Sequence, residues 1–220
     1  KNFIRDITEK YGDDFYVFGE FWNSDETANN DYLENIDYRF DLVDVKLHHN
    51  LFDASKSGAD YDLRTIFDQT LAKNHPESAV TFVDNHDTQR GQALESTVEE
   101  WFKPAAYALI LLREAGLPCV FYGDYYGIGI SGEFDQESFK DVLDILLDIR
   151  LNLAYGEQTD YFDDANCIGW TRQGMDDGQP IAVLISNDQA TSKSMFVGPE
   201  WAGREFSDYL GNSSQIVTID

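Results

Sequence analysis

Four short apolar, β-rich runs, at 15–21, 38–45, 79–83 and 119–122, alternate with helix-type patterns along residues 1–155. A strand covered on both faces reads as a continuous apolar run. A helical segment between successive runs is the crossover that parallel strands require. The alternation therefore predicts a parallel α/β sheet or barrel. Helices are expected over 1–12, where Phe3, Ile4, Ile7 and Tyr11 share a face, within 23–35, and over 63–71. Another is expected over 99–115, apolar around most of its circumference and closed by Gly116 and Pro118. A 3.6-residue stripe of Phe139, Val142, Leu143, Leu146, Ile149 and Leu153 makes a last helix, with Asp141, Asp144 and Asp148 on its solvated side. His48–Phe52 leads into a turn cluster at 55–58, and a Gly-rich loop follows the fourth run through Gly132.

After Gly156 the helical period disappears. Short β-type runs at 167–172, 181–186, 194–197 and 215–219 are separated by Gly, Asp, Asn and Pro. A small antiparallel β domain over 156–220 is expected.

In a parallel barrel, chemistry is placed at the C-terminal strand ends. The first run, Tyr16-Val17-Phe18-Gly19-Glu20-Phe21-Trp22, delivers a carboxylate there. Flanking aromatics are expected to desolvate Glu20, which raises a carboxyl pKa and suits a general acid. A helix cap or an arginine pair is the structural alternative. The third run ends in Asp84-Asn85-His86-Asp87-Thr88-Gln89, an imidazole between two acids. His86 suits donation to a sugar hydroxyl, and Asp87 suits opposing a developing positive charge. A capping Asp and a structural His would account for the same residues. Two carboxylates and a histidine among Phe21, Trp22, Tyr122, Tyr125 and Tyr126 fit carbohydrate chemistry. Aromatic faces stack on sugar rings, and acid pairs cleave glycosidic bonds.

Charge narrows the partners. With 41 acidic and 16 basic residues the net charge is −25. This excludes a phosphate-backbone (nucleic acid) partner and docking on an anionic membrane, and it favours a neutral substrate. No apolar run approaches the length of a membrane span. Cys119 and Cys167 belong to no metal-binding spacing, so free thiols and no zinc are expected. The chain opens as if within a helix and is read as a fragment. A cytoplasmic location is the expectation, with secretion left open.

The segments FGEFW, FVDNHDTQ and LESTVEEWFKPAAYALILLREAGLPCVFYGDYYG closely resemble glycoside hydrolase family 13, in particular its liquefying bacterial α-amylases and their cytoplasmic relatives. The resemblance implies the second half of a (β/α)8 TIM barrel over 1–155 (its last four strands), followed by a truncated antiparallel β-sandwich domain over 156–220. It implies that Glu20 is the general acid/base and Asp87 the transition-state-stabilising aspartate. His86 would bind substrate, Trp22 would line the sugar cleft, and Gln89 would lie beside it. Asp84 and Asn85 would be structural.

The family's nucleophilic aspartate would fall before Lys1, and Asp6 matches no such motif. The chain alone is therefore expected to be inactive, and an α-glucan is the expected substrate of the intact parent. An open half-barrel would invite self-association. The resemblance implies a possible calcium ion in the parent enzyme, held in a cluster that involves segments absent here. A second interdomain calcium site would draw on Ala59, Tyr61, Asn166 and Asn187, the last two being amides where acids are usual, so no metal is expected on this chain. The alternatives are a non-catalytic α-glucan-binding or structural remnant of the same fold, and a transglycosylase or maltooligosaccharide-producing relative.

Overall fold

A computed structural model describes residues 2–12, 15–129, 135–175 and 178–220. Helix α1 (Asn2–Tyr11) precedes strand β1 (Phe18–Gly19) and helix α2 (Glu26–Asn35), whose first turn is capped by the Asp25 carboxylate accepting from Ala28 N. Then follow β2 (Asp41–Val43), α3 (Val45–Ser57), α4 (Leu71–Asn74), β3 (Ala79–Phe82) and α5 (Lys103–Leu111). β4 (Leu117–Cys119), the short α6 (Tyr122–Tyr126) and α7 (Lys140–Asn152) complete this part. The strands form one parallel sheet in the order β1-β2-β3-β4, with Phe18 beside Asp41, Leu42 beside Ala79 and Val80 beside Leu117. Every residue of β3 is buried, as a central strand covered on both faces must be.

Antiparallel strands β5 (Gln158–Asp164), β6 (Cys167–Arg172) and β7 (Ile181–Ser186) follow, then the pair β8 (Glu205–Phe206) and β9 (Val217–Thr218). Ile168, Trp170 and Ile185 join the same hydrophobic cluster as Leu109, Leu143 and Leu146, so this sheet packs directly on the helical layer. Arg113 clasps Asp160 through two 2.8 Å bonds, and the Trp170 indole donates to the Leu112 carbonyl.

The alternation is as expected, but several bounds move. The first two strands are much shorter than 15–21 and 38–45. Val45 begins α3, because the buried Asp44 carboxylate caps it by accepting from Leu47 N at 3.0 Å. The expected turn cluster at 55–58 is the end of that helix, which stops only at Gly58. The helix expected over 63–71 is a 3-10 turn at Leu63–Thr65 and then α4, separated by Gln69 at φ 62. α5 occupies only the middle of 99–115. Gly116 sits at φ +80, where a Cβ would meet the Thr81 side chain at 2.7 Å, so the turn into β4 requires glycine. The fourth strand ends at Cys119, and Tyr122 already belongs to α6. β5 was not expected: its polar, mostly exposed face hides an edge strand. No strand forms at 194–197 among the described residues. The end of the expected Gly-rich loop, at 130–134, lies outside the described residues. Cys119 and Cys167 are free thiols, as expected. No described helix is long and apolar enough to cross a membrane.

Candidate active site

Glu20 follows β1, and Asp84 to Gln89 follow β3, both at the C-terminal end of the parallel sheet. With β2 between them, the two strand ends stand two strand spacings apart, roughly 10 Å. Three of the expected site residues are drawn into one turn. His86 Nε2 lies 3.5 Å from Asp87 Oδ1, and the Gln89 amide donates to the His86 carbonyl at 3.1 Å. The His86 ring is 73% exposed and the Asp87 side chain 39% exposed, so both are open to a ligand.

Asn85 builds that turn. Its side-chain oxygen accepts from the backbone N–H of Asp87 (2.9 Å) and of Thr88 (3.0 Å), while Thr88 Oγ1 accepts from Asn85 N at 2.9 Å. This local side-chain capping holds the chain off the sheet axis and fixes the direction of Asp87.

The apolar enclosure expected around Glu20 is not made. Phe21 stacks on Tyr32 of α2 (4.5 Å between ring centroids), and Trp22 turns to His48, 6.1 Å away, and Phe82, 6.2 Å away. The flanking aromatics are thus spent on packing, and the Glu20 carboxylate is exposed. Trp22 is half-buried. Phe82 ties it to β3, the strand that the His86–Asp87 turn follows. The expected tyrosines divide: Tyr125 donates to Asp144 on α7, while Tyr122 and Tyr126 pack on each other and are exposed.

Beneath the turn lies a buried ionic cluster not foreseen from the sequence. Lys103, at the first turn of α5, reaches Asp84, Asp124 and the side-chain oxygen Oε1 of Gln136. Tyr107 and the Gln136 amide donate to Asp124, and Asp84 Oδ1 accepts from Thr88 Oγ1 and Val98 N. Burial pushes the Asp84 carboxyl up to about 7, against the opposing pull of Lys103, and Asp124 adds to the rise. The available signal was a single lysine in an otherwise apolar helix start. A buried cation of that kind demands carboxylate partners.

His48 is also buried, with Nδ1 at 2.6 Å from the Val83 carbonyl and Nε2 at 2.8 Å from Ser96 Oγ. Burial lowers its pKa to about 4. The Asp44 carboxylate, which also accepts from Ala72 N at 2.7 Å, is raised by burial to about 6. A separate concavity bounded by Ile4, Thr8, Phe15, Val17 and Arg39 lies at the N-terminal end of the sheet and contains none of these groups. What the C-terminal end offers chemically is an exposed carboxylate on one strand and a carboxylate–imidazole pair on another, with an indole beside them. Such a set suits proton transfer to, and charge stabilisation at, a neutral polyol substrate.

Comparison with known proteins gives two family matches: the model described as "Alpha amylase, catalytic domain" covers residues 1–176, and "Alpha-amylase C-terminal" covers 181–220. A glucan 1,4-alpha-maltohexaosidase of Bacillus sp. (strain 707) is 46% identical across the whole chain, which spans 42% of that protein. The α-amylase of Geobacillus stearothermophilus is 45% identical across the whole chain, covering 40% of its own length. The cytoplasmic alpha-amylase of Escherichia coli (strain K12) is 38% identical, again over the full chain and 46% of its own length. The chain thus spans less than half the length of these relatives. Among solved structures, the cyclomaltodextrin glucanotransferase CldA shares the fold with a TM-score of 0.68 at 21% identity, over 99% of this chain and 48% of that one. AmyP, solved in complex with maltose, matches with a TM-score of 0.51 at 14% identity, over 78% of this chain and 45% of that one.

Proposed function

The chain belongs to the α-amylase family of glycoside hydrolases, with a partial TIM barrel followed by a β domain, and from that premise we propose that it carries the acid/base half of a retaining, endo-acting α-1,4-glucan hydrolase. The observation that carries this reading is the placement of Glu20 and the His86–Asp87 pair at the C-terminal ends of two strands of one parallel sheet. Starch, glycogen or maltodextrin is the substrate class. It agrees with the maltohexaosidase relative, the maltose complex of AmyP and a net charge of −25, which disfavours anionic ligands.

In this mechanism Glu20 protonates the glycosidic oxygen as the bond to the anomeric carbon breaks. A carboxylate from a longer protein traps the sugar as a glycosyl ester. Glu20, now ionised, takes a proton from water as its oxygen attacks the anomeric carbon and releases that carboxylate. Asp87 opposes the positive charge of the oxocarbenium-like state, His86 donates to a sugar hydroxyl, and Trp22 with Gln89 lines the cleft. Without the trapping carboxylate the 220-residue chain is inactive by itself. A cytoplasmic location follows the E. coli relative's description.

The test is Glu20→Gln in the intact protein, with starch as substrate. A fall in kcat of about 10³-fold or more is expected, with folding unchanged. Normal turnover would remove Glu20 from the mechanism, and starch hydrolysis by the isolated chain would refute its dependence on a further carboxylate. If the intact protein also lacks hydrolysis but retains maltodextrin binding, the non-catalytic remnant is the correct description.

A further inference from the structure

The turn after α3 directs three backbone carbonyls, those of Gly58, Ala59 and Tyr61, toward the antiparallel sheet, and two asparagines meet them. Asn166, on the turn between β5 and β6, donates through Nδ2 to the Ala59 carbonyl at 2.7 Å and to Asn187 Oδ1 at 2.9 Å. Asn187, just past β7 and buried, donates through Nδ2 to the carbonyls of Gly58 and Tyr61, each at 2.8 Å. All four N–H bonds of the two side-chain amides are therefore used, each on its own oxygen. Two backbone bonds frame the contact, Leu63 N to Ala165 O at 2.8 Å and Asn187 N to Asn166 O at 3.3 Å.

Convergent carbonyl oxygens are what a hard divalent cation takes as ligands, but calcium needs 6–8 oxygens and net negative charge around it. Here the inward-facing atoms of the amides are donors, and neither residue carries charge. The adjacent acid, Asp164, has Oδ1 engaged by Asn166 N at 2.8 Å. Among the described residues no three His, Cys, Asp or Glu side chains gather as a metal site. The residues present do not fit a calcium ion. Rotating the Asn187 amide by half a turn would aim its oxygen at two carbonyl oxygens, a repulsion that only a cation could relieve, so the carbonyls themselves select the donor orientation.

We propose that Asn166 and Asn187 form a metal-independent clamp between the parallel-sheet part and the antiparallel sheet, occupying the position of a bridging cation. The same carbonyl cluster is a latent hard-cation site, closed by two N–H₂ groups and opened by exchanging each for a carboxylate oxygen. The proposal does not depend on the glucan-hydrolase reading, because its measurements are made on the chain itself without substrate.

The test is thermal unfolding of the 220-residue chain in millimolar calcium chloride and in EDTA. The wild-type Tm is expected to agree within about 1 °C between the two, whereas a calcium ion held a thousandfold above its Kd would raise it by roughly 10 °C. Asn187→Ala removes both donors to Gly58 and Tyr61 and is expected to lower the Tm equally in both buffers. The double variant Asn166→Asp, Asn187→Asp is expected to lose stability in EDTA and to regain it with calcium, with terbium luminescence reporting the new site. If that variant does not fold, the other two decide. A wild-type Tm raised by calcium, with the rise abolished in Asn187→Ala, overturns the proposal, as does an Asn187→Ala Tm equal to wild type.

Discussion

Lys103 Nζ lies 2.9 Å from Asp84 Oδ2 in a place closed to solvent, with 0% and 1% of the two side chains exposed. The same ammonium contacts Asp124, so one cation from α5 joins the end of β3 to the short helix α6. Removing it alone leaves two carboxylates buried against each other. Lys103→Met is therefore expected to cost about 3–5 kcal/mol in urea-induced unfolding. Adding Asp84→Asn and Asp124→Asn to Lys103→Met should recover part of this loss. A single-variant loss below about 1 kcal/mol would show that Lys103 does not tie these elements together.

Asn85 makes a narrower prediction about the turn itself. Its side-chain oxygen is the acceptor for the N–H groups of Asp87 and Thr88. Asn85→Ala strands both donors, one partly and one fully buried, at a cost of about 1–3 kcal/mol. Asn85→Asp keeps the acceptor and should restore most of it. If Asp87 opposes the developing charge as proposed, the alanine variant of the intact protein should lower kcat with starch more than it raises KM, because Asp87 is displaced. An unchanged kcat would separate this turn from the chemistry.

The edge strands bear on how the isolated chain behaves. β1 and β4 bound the parallel sheet, and Phe18 and Leu117 on them are 50% and 46% exposed, next to exposed Tyr16. Unpaired edges carrying apolar side chains recruit further strands. The purified chain should show a concentration-dependent mass by sedimentation equilibrium, reduced by Phe18→Lys with Leu117→Lys. A constant monomer mass over the accessible concentration range would exclude self-association through these edges.

The parts of this structure legible in the sequence are those set by one-dimensional pattern. Ala79–Phe82 reads as a nearly continuous apolar run because every residue of it, Thr81 included, is buried, and the stripe from Phe139 to Leu153 matches α7 because only one of its faces is buried. What escaped was set by partners distant in the chain. α3 was obscured because its inward face carries His48 and Asn50 beside Leu47, Leu51 and Ala54, polar groups satisfied only by Val83, Ser96, Ile66 and Asp68. β5 was hidden by its acidic exposed face. The positions of Glu20, His86 and Asp87 at strand ends followed from the motifs. The exposure of Glu20 did not, since nothing local says that Phe21 stacks on Tyr32 instead of covering the acid.

His48 carries the clearest pH dependence. A carbonyl only accepts, so the contact with Val83 O puts the proton on Nδ1. In the neutral ring Nε2 is then an acceptor and takes the Ser96 hydroxyl proton. Ser96 Oγ is also 2.8 Å from the Leu94 carbonyl, and one hydroxyl proton serves one of the two at a time. Protonating the ring turns Nε2 into a donor and sends the Ser96 proton to Leu94, without relieving the buried charge. Burial, with His49 and Lys103 adding to it, lowers the folded-state pKa to about 4 from an ordinary 6.5. The unfolded chain thus binds the proton more readily, and stability that is whole above pH 6.5 is lost as the pH falls toward 4. The window is worth about 3 kcal/mol, from 1.36 kcal/mol per pKa unit. Asp44 and Asp84, raised to about 6 and about 7, act in the opposite sense: their contribution is full below the ordinary carboxylate range and lost as the pH rises. The wild-type profile alone therefore mixes both. The difference between wild type and His48→Asn, whose amide can still donate to Val83, cancels the carboxylates. Urea unfolding from pH 7 to pH 4 should show wild type losing about 3 kcal/mol relative to the variant. A difference independent of pH would mean that His48 titrates alike in the folded and unfolded chains.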